Sequence, residues 1–172
     1  VTVGKLGFDD LLGYGQFSLD EMRFRCYLIK SHLMQSATKV VKTSLYRSLD
    51  STEKASASYF IGMAVSKIFG NSLLDIPCLF HLEKMKFLYN IKLKGKSRPY
   101  LLGQNSKGQW IVFEAKGRSD GFSQPALNKA KEQTKQIETI SGVQPFLKVA
   151  IESYFNKTLS AHVVDPTESD DD

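Results

Sequence analysis

The segment that most constrains the fold is the apolar run Trp110-Ile-Val-Phe-Glu-Ala-Lys116, which Gly117 follows. Its aromatic and β-branched residues give the strongest strand pattern in the chain. Residues 79–93 mix apolar and lysine side chains in near alternation, and residues 98–103 precede a turn at 104–108. Together these three segments predict an antiparallel meander of about three strands.

Two helices are predicted before this sheet. Residues 1–20 contain four glycines and indicate a loose arm or a short helix, whereas apolar side chains between 20 and 48 keep a helical spacing. The sequence Asp50-Ser-Thr-Glu53 is a capping box. The helix that it opens is predicted to end at Gly70. It should be buried, because it is apolar on most of its sides.

A third helix and two more strands are predicted after the sheet. Ser123 can cap this helix, with Pro125 in its first turn. The helix is expected to run to Ile140, where Ser141-Gly142 closes it. Residues 146–155 and 159–164 predict the last strands.

The order of these elements predicts an α/β (α+β) fold with a mixed central sheet flanked by helices. A chain of 172 residues has room for one domain, or for one domain and an arm. We expect an N-terminal arm and helix at 1–49 and a core domain at 50–165. Residues 166–172 are expected to be an acidic, disordered tail.

Positive charge is concentrated in the middle of the chain. The formal net charge is +5, although the C-terminal tail is acidic. A basic field attracts polyanions such as nucleic acids, and a solvated, lysine-rich strand face is the other explanation. Between residues 84 and 118 one acid, Glu114, stands among nine basic residues: Lys84, Lys86, Lys92, Lys94, Lys96, Arg98, Lys107, Lys116 and Arg118.

Hydropathy and cysteine content bear on the location of the protein. No run of about 18 apolar residues occurs, so we expect no membrane-spanning segment. Cys26 and Cys78 fit neither a metal motif nor a disulfide framework. We therefore expect both cysteines to be reduced and buried, in a cytoplasmic protein.

Glu114 and Lys116 form the motif with the clearest chemistry. Alternate residues of a strand point to the same side, so these two side chains should lie together, about 7 Å apart along the strand. A carboxylate can hold Mg²⁺ or Mn²⁺, and a neighbouring ammonium group can orient a water or stabilise charge on a phosphate. An exposed ion pair at the end of a strand is the alternative.

The wider context of this pair resembles a known family. The hairpin Arg98-Pro-x-x-x-Gly and Gly-x-Trp-Ile-Val-Phe-Glu-x-Lys-Gly, followed by a Lys- and Gln-rich helix, resembles the PD-(D/E)xK superfamily of restriction-endonuclease-like nucleases. The resemblance covers about residues 50–165. It implies a core in the order αβββαβ, here with an N-terminal helical extension.

The resemblance also implies roles for single residues. Glu114 would bind Mg²⁺ or Mn²⁺, and Lys116 would be the catalytic lysine that orients the attacking water. The family carries a second metal-binding Asp after the proline of its first motif, and Tyr100 stands there in this chain. Glu53, on the first core helix, is the candidate for the second carboxylate, unless it only completes the capping box. Further candidates are Glu83, Asp75 and Asp120.

Four residues are candidates for contacts with nucleic acid. In related nucleases, a Gln or Lys on the helix after the Glu-x-Lys motif faces the site. Gln133 and Lys129 share one face of that helix, although a solvent-exposed helix surface explains the same spacing. Arg98 and Arg118 belong to the basic stretch, and Arg118 lies close enough to Lys116 to contact a phosphate.

Two functions remain open from the sequence. The first is a metal-dependent nuclease that hydrolyses phosphodiester bonds in DNA, or in RNA, in defence, restriction or repair. A homodimer is compatible with it, because many proteins of this fold cut both strands as dimers. The second is a catalytically degenerate nuclease fold that binds nucleic acid or a protein. A structural protein in which Glu-Ala-Lys is incidental is a further alternative.

Overall fold

The computed structural model describes residues 16–86, 88–97 and 99–165 of the chain. These residues form five helices and nine strands. Their bounds are α1 Gln16–His32, β1 Leu33–Ser36, β2 Lys39–Lys42, α2 Ser44–Ser48, α3 Ser51–Leu73, β3 Leu79–His81, α4 Leu82–Met85, β4 Ile91–Leu93, β5 Leu101–Gln104, β6 Trp110–Gly117, α5 Gln124–Lys135, β7 Ile137–Ile140, β8 Leu147–Asn156 and β9 Thr158–Val164.

A five-stranded mixed sheet, in the order β3-β5-β6-β8-β9, forms the centre of the described structure. Strands β3, β5 and β6 are antiparallel neighbours, β8 runs parallel to β6, and β9 returns antiparallel to β8. A parallel pair needs a crossover connection, which here contains α5 and β7. Because β6 has a partner on each edge, most of its residues are buried.

Helices α3 and α5 cover opposite faces of this sheet. Met63 of α3 packs with Ala115 of β6, whereas Leu127 of α5 packs with Ala150 of β8. Ala150 lies directly beside Glu114 in the parallel pair. Because paired residues point to the same face, Glu114 lies on the side of α5.

The start of α3 confirms the predicted capping box. The Asp50 carboxylate accepts hydrogen bonds from the backbone N–H groups of Thr52 and Glu53, and the Glu53 carboxylate accepts one from the Asp50 N–H. The inner side of the helix is buried, as expected. Its predicted end at Gly70 is three residues early, because the helix continues to Leu73.

Two glycines allow α3 to lie close to the end of β6. A Cβ added at Gly117 would stand 1.8 Å from the Ser58 carbonyl oxygen, and one added at Gly62 would stand 2.9 Å from the Gly117 Cα. Both neighbours are backbone atoms, so they cannot move aside as a flexible side chain would. The position of Lys116, next to Gly117, is therefore fixed by direct packing of backbone on backbone.

The helix predicted for residues 20–48 is wrong beyond His32. Residues 33–42 form the hairpin β1–β2, with Leu33 opposite Lys42. Ala37, in the turn, has a positive φ of 53°, which interrupts a right-handed helix. The β-branched pair Val40-Val41 also favours a strand. A short helix, α2, then begins after Thr43, whose side chain accepts from the Tyr46 N–H.

Two more predicted elements are divided in the structure. The strand expected over 79–93 is replaced by β3, the short helix α4 and β4, and β4 leaves the central sheet to pair with β7. The helix expected to reach Ile140 ends at Lys135, and residues 137–140 form β7 instead. Ile137 and Ile140 are buried in a small cluster with Trp110, so tertiary packing favours the strand here.

The coarse fold prediction is confirmed as a mixed α/β structure with helices on both faces of the central sheet. Along the chain, α3, β3, β5, β6, α5 and β8 follow one another, with α4, β4 and β7 inserted between them. Cys26 and Cys78 are free, as expected, but half-buried rather than buried. No helix among the described residues is long and apolar enough to cross a membrane. The predicted acidic tail at 166–172 lies outside the described residues.

Candidate functional site

Glu114 is a fully buried carboxylate near the C-terminal end of β6. Its side chain has no exposed surface, because β5 and β8 lie on its two sides and α5 lies above it. Each oxygen accepts one hydrogen bond: Oε1 from the Lys116 ammonium group at 2.6 Å, and Oε2 from the Tyr100 backbone N–H at 2.9 Å. Both oxygens of this buried group are therefore paired, as burial of a carboxylate requires.

Lys116 connects the end of β6 with α5. Its Nζ donates to Glu114 Oε1 and to Gln133 Oε1, both at 2.6 Å. Helix α5 is held over the sheet by Leu127 and Ala130, and Gln133 follows Ala130 by three positions, one helical turn away. The Glu-x-Lys motif and the glutamine predicted on the helix therefore meet at one ammonium group.

Burial changes the acidity of the site. It raises the pKa of Glu114 from 4.5 to about 7, while the charge and hydrogen bond of Lys116 and the Tyr100 N–H oppose this rise. The charge of Lys129 adds a smaller opposing effect. Near neutral pH, Glu114 can therefore lose or gain a proton without a large change in free energy. Such tuned acids are common at functional sites.

Tyr100 lies at the open side of the site. Its backbone is fixed at both ends, because its N–H donates to Glu114 and its carbonyl accepts from the Leu82 N–H at 2.9 Å. Its side chain is 40% exposed. Lys116 Nζ lies 5.8 Å from the centre of the Tyr100 ring, within the range of a cation–π contact.

Sequence reasoning missed Glu152, a second buried carboxylate on the same face of the sheet. It lies directly beside Lys116 in the parallel pair β6–β8 and has no exposed surface. Its Oε1 accepts from the Ser123 N–H at 2.7 Å and lies 3.6 Å from Arg118 Nε, whereas its Oε2 has no partner among the described residues. The available signal was an isolated acid within the apolar strand 147–156.

Of the other predicted residues, Arg118 and Lys129 lie near these two carboxylates. Arg118 Nε donates to the Gly121 carbonyl and approaches Glu152. Lys129 lies close enough to Glu114 to affect its pKa, but it is exposed. Glu53 forms part of the capping box at the start of α3. Its role as a metal ligand stays a prediction. Arg98 lies outside the described residues.

The three other carboxylates considered from the sequence take part in local contacts. Glu83 pairs with Lys86 at 2.9 Å, Asp75 accepts a hydrogen bond from Ser106, and Asp120 accepts one from Ser119. All three are exposed.

Glu114 can serve a divalent cation as one carboxylate ligand. Mg²⁺ prefers carboxylate oxygens, and each oxygen of Glu114 has lone-pair capacity beyond the one hydrogen bond that it accepts. A cation would favour the ionised form, which opposes the effect of burial. Within the described residues, no group of three or more His, Cys, Asp and Glu side chains is arranged to hold a metal ion.

Comparisons with known proteins give no match: no family model, no curated protein and no solved structure resembles this chain closely enough to be reported.

Proposed function

We propose that this chain is a metal-dependent, nuclease-like domain with a restriction-endonuclease-like core that hydrolyses phosphodiester bonds in DNA. The observation that carries the proposal is the position of Lys116 Nζ, held between the buried Glu114 carboxylate and Gln133 at 2.6 Å from each. An incidental ion pair at a strand end would be solvated, whereas this one includes a carboxylate without exposed surface. Burial of a charged group is costly, and carboxylates whose pKa values burial shifts strongly cluster at functional sites.

Each residue of the cluster has a separate task in this proposal. Lys116 orients the attacking water and stabilises negative charge that develops on the phosphate. Gln133 fixes the ammonium group of Lys116, so that little reorganisation is needed during the reaction. Lys129 and Arg118 bind neighbouring phosphates and supply affinity without sequence preference.

The cofactor of this proposal is Mg²⁺ or Mn²⁺. Glu114 would hold it, and Glu53 remains the sequence-based candidate for a second ligand. When bound, such a cation neutralises charge on a phosphate and lowers the pKa of a bound water. A homodimer in the cytoplasm belongs to the same proposal, and light scattering measures its mass.

One observation favours a second function, binding of nucleic acid without cleavage. Tyr100 stands where the PD-(D/E)xK family carries its first metal-binding Asp, and its side chain gives the site an aromatic ring instead of a carboxylate. A phenol hydroxyl is a poor ligand for Mg²⁺, which prefers carboxylate and carbonyl oxygens. The same basic surface would then bind nucleic acid through its phosphates alone.

A cleavage assay with matched variants separates the two functions. Plasmid and single-stranded DNA are incubated with Mg²⁺ or Mn²⁺ and with the parent, Lys116→Ala or Lys92→Ala. Lys92 is the control, because it lies on β4 and pairs with Glu138 at 3.2 Å rather than with the site. We expect cleavage by the parent and by Lys92→Ala, and a loss of about 100-fold or more in Lys116→Ala.

Two results would contradict the nuclease. Cleavage that persists in a folded Lys116→Ala protein would remove Lys116 from the chemistry. No cleavage by the parent, together with salt-sensitive DNA binding that weakens steeply between about 50 and 200 mM salt, would favour the binding function.

A further inference from the structure

An aromatic cluster borders the Glu114–Lys116 pair on its exposed side. The ring of Tyr100 meets Tyr59 of α3 at 5.8 Å between ring centres, with an interplanar angle of 75°. It meets His81, at the end of β3, at 6.5 Å and 85°. Tyr59 and His81 are half-buried, whereas Tyr100 is 40% exposed. The two inner rings therefore support one outer ring that solvent can reach.

The outer ring is held at a fixed place relative to the candidate catalytic groups. Hydrogen bonds from the Tyr100 N–H to Glu114 and from the Leu82 N–H to the Tyr100 carbonyl restrain its backbone. Pro99, just before it, is buried. Lys116 Nζ, the group proposed to act on a phosphate, lies 5.8 Å from the ring centre. The exposed ring and the ammonium group proposed to bind a phosphate therefore lie close enough for one nucleotide to contact both.

We propose that Tyr100 stacks on an unpaired nucleobase while Lys116 binds the adjacent phosphate, so that the site takes single-stranded nucleic acid. This inference rests on the proposed function, because it uses the same ammonium group. Bases of a duplex are stacked on each other and do not offer a face to a side chain. A splayed single strand does offer one, and stacking of a base on an aromatic ring tolerates any sequence.

The test measures binding rather than cleavage. Fluorescence anisotropy in EDTA and about 50 mM salt gives the dissociation constant of a labelled oligothymidylate of about 12 nucleotides. A second oligonucleotide of equal length carries abasic sites in its central part. It keeps every phosphate and loses the bases, so the ratio of the two constants isolates base stacking.

Four proteins are compared: the parent, Tyr100→Phe, Tyr100→Leu and Phe146→Leu. Phenylalanine keeps the ring, whereas leucine removes it. Phe146 is the matched control, because it is an exposed aromatic residue beside Trp110, at the opposite end of β6 from Lys116. Thermal melting shows that each variant is folded.

We expect the parent to bind the intact oligonucleotide roughly tenfold more tightly than the abasic one, a factor typical of one stacked base. Tyr100→Phe and Phe146→Leu should keep this preference, and Tyr100→Leu should lose it. A duplex of the same length should compete less well than the single strand for the parent.

Two results would overturn the inference. The first is the absence of a role for Tyr100 in base recognition. It would be seen if the parent bound both oligonucleotides equally, or if a folded Tyr100→Leu protein kept the preference for the intact oligonucleotide. The second is the absence of any binding at low salt, which would also remove nucleic acid from the proposed function. A base preference without any cleavage in Mg²⁺ or Mn²⁺ would support the stacking site and overturn only the hydrolysis.

Discussion

Glu114 and Glu152 are two buried carboxylates on adjacent parallel strands and on the same face of the sheet, yet their surroundings differ. Glu114 contacts the Lys116 ammonium group, which Gln133 also contacts. Glu152 accepts from the Ser123 N–H, just before α5, and lies near Arg118. Both oxygens of Glu114 are paired, whereas Oε2 of Glu152 has no partner among the described residues.

This difference separates a chemical role from a structural one. The partners of Glu114 are the Lys116 ammonium group and the Tyr100 N–H, and the Tyr100 side chain beside them is exposed. The partners of Glu152 belong to the loop 118–123, which connects β6 with α5. Glu152 therefore helps to hold α5, and with it Gln133, whereas Glu114 is the carboxylate for which we propose a chemical role.

The largest expected effect concerns the pH dependence of stability. The pKa of Glu114 is about 7 in the folded protein and near 4.5 when unfolded. Between these values the folded state binds a proton that the unfolded state has lost, so the free energy of unfolding falls as pH rises. Relative to Glu114→Gln, the parent should lose about 2.5 kcal/mol between pH 5 and pH 8. Urea titrations at several pH values measure this difference.

The control for this experiment is Glu152→Gln. Burial raises the pKa of Glu152 as well, so Glu152 also makes the free energy of unfolding fall as pH rises. The fall that is due to Glu114 should remain in Glu152→Gln. A pH-independent difference between the parent and Glu114→Gln would show that Glu114 is not buried as described.

The second effect concerns the anchor of α5. Glu152→Ala removes the acceptor of the Ser123 N–H and the neighbour of Arg118, and it should reduce the free energy of unfolding by about 2 kcal/mol. Glu138→Ala, which removes only a surface partner of Lys92, should change it by less than about 0.5 kcal/mol. Equal stabilities of the two variants in urea titrations would refute the anchoring role.

The third and smallest effect concerns the support of Lys116. Gln133→Leu removes one of the two acceptors of the Lys116 ammonium group. It should slow cleavage about tenfold, which corresponds to an activation barrier about 1.4 kcal/mol higher. Gln136→Leu is the control, since the Gln136 side chain donates to the Glu132 carbonyl instead. Single-turnover kinetics would contradict the account if both variants cleaved at the same rate.

The sequence predicts the local features of the site well. The capping box at Asp50, the strand through Glu114 and the cap of α5 at Ser123 depend on neighbouring residues, so their patterns are visible in the chain. The shared face of Glu114 and Lys116 follows from strand alternation. Helical spacing places Gln133 and Lys129 on one face, and the resemblance to related nucleases favours Gln133, which contacts Lys116 in the structure.

Features that depend on long-range pairing were not predicted. Strand β7 forms because Ile137 and Ile140 are buried in a cluster with Trp110, which overrides the helical pattern before them. Glu152 becomes a neighbour of Lys116 only through the register of β8 on β6. No local pattern specifies that register, so the second buried carboxylate could not be placed from the sequence.

The central claim is that Glu114 serves the reaction while Glu152 serves the structure. Cleavage of single-stranded and plasmid DNA by Glu114→Gln and Glu152→Gln, measured side by side on proteins shown to be folded, tests it most directly. The account predicts that Glu114→Gln is folded and inactive, and that Glu152→Gln is less stable but still cleaves. Cleavage by Glu114→Gln at the rate of the parent would contradict it.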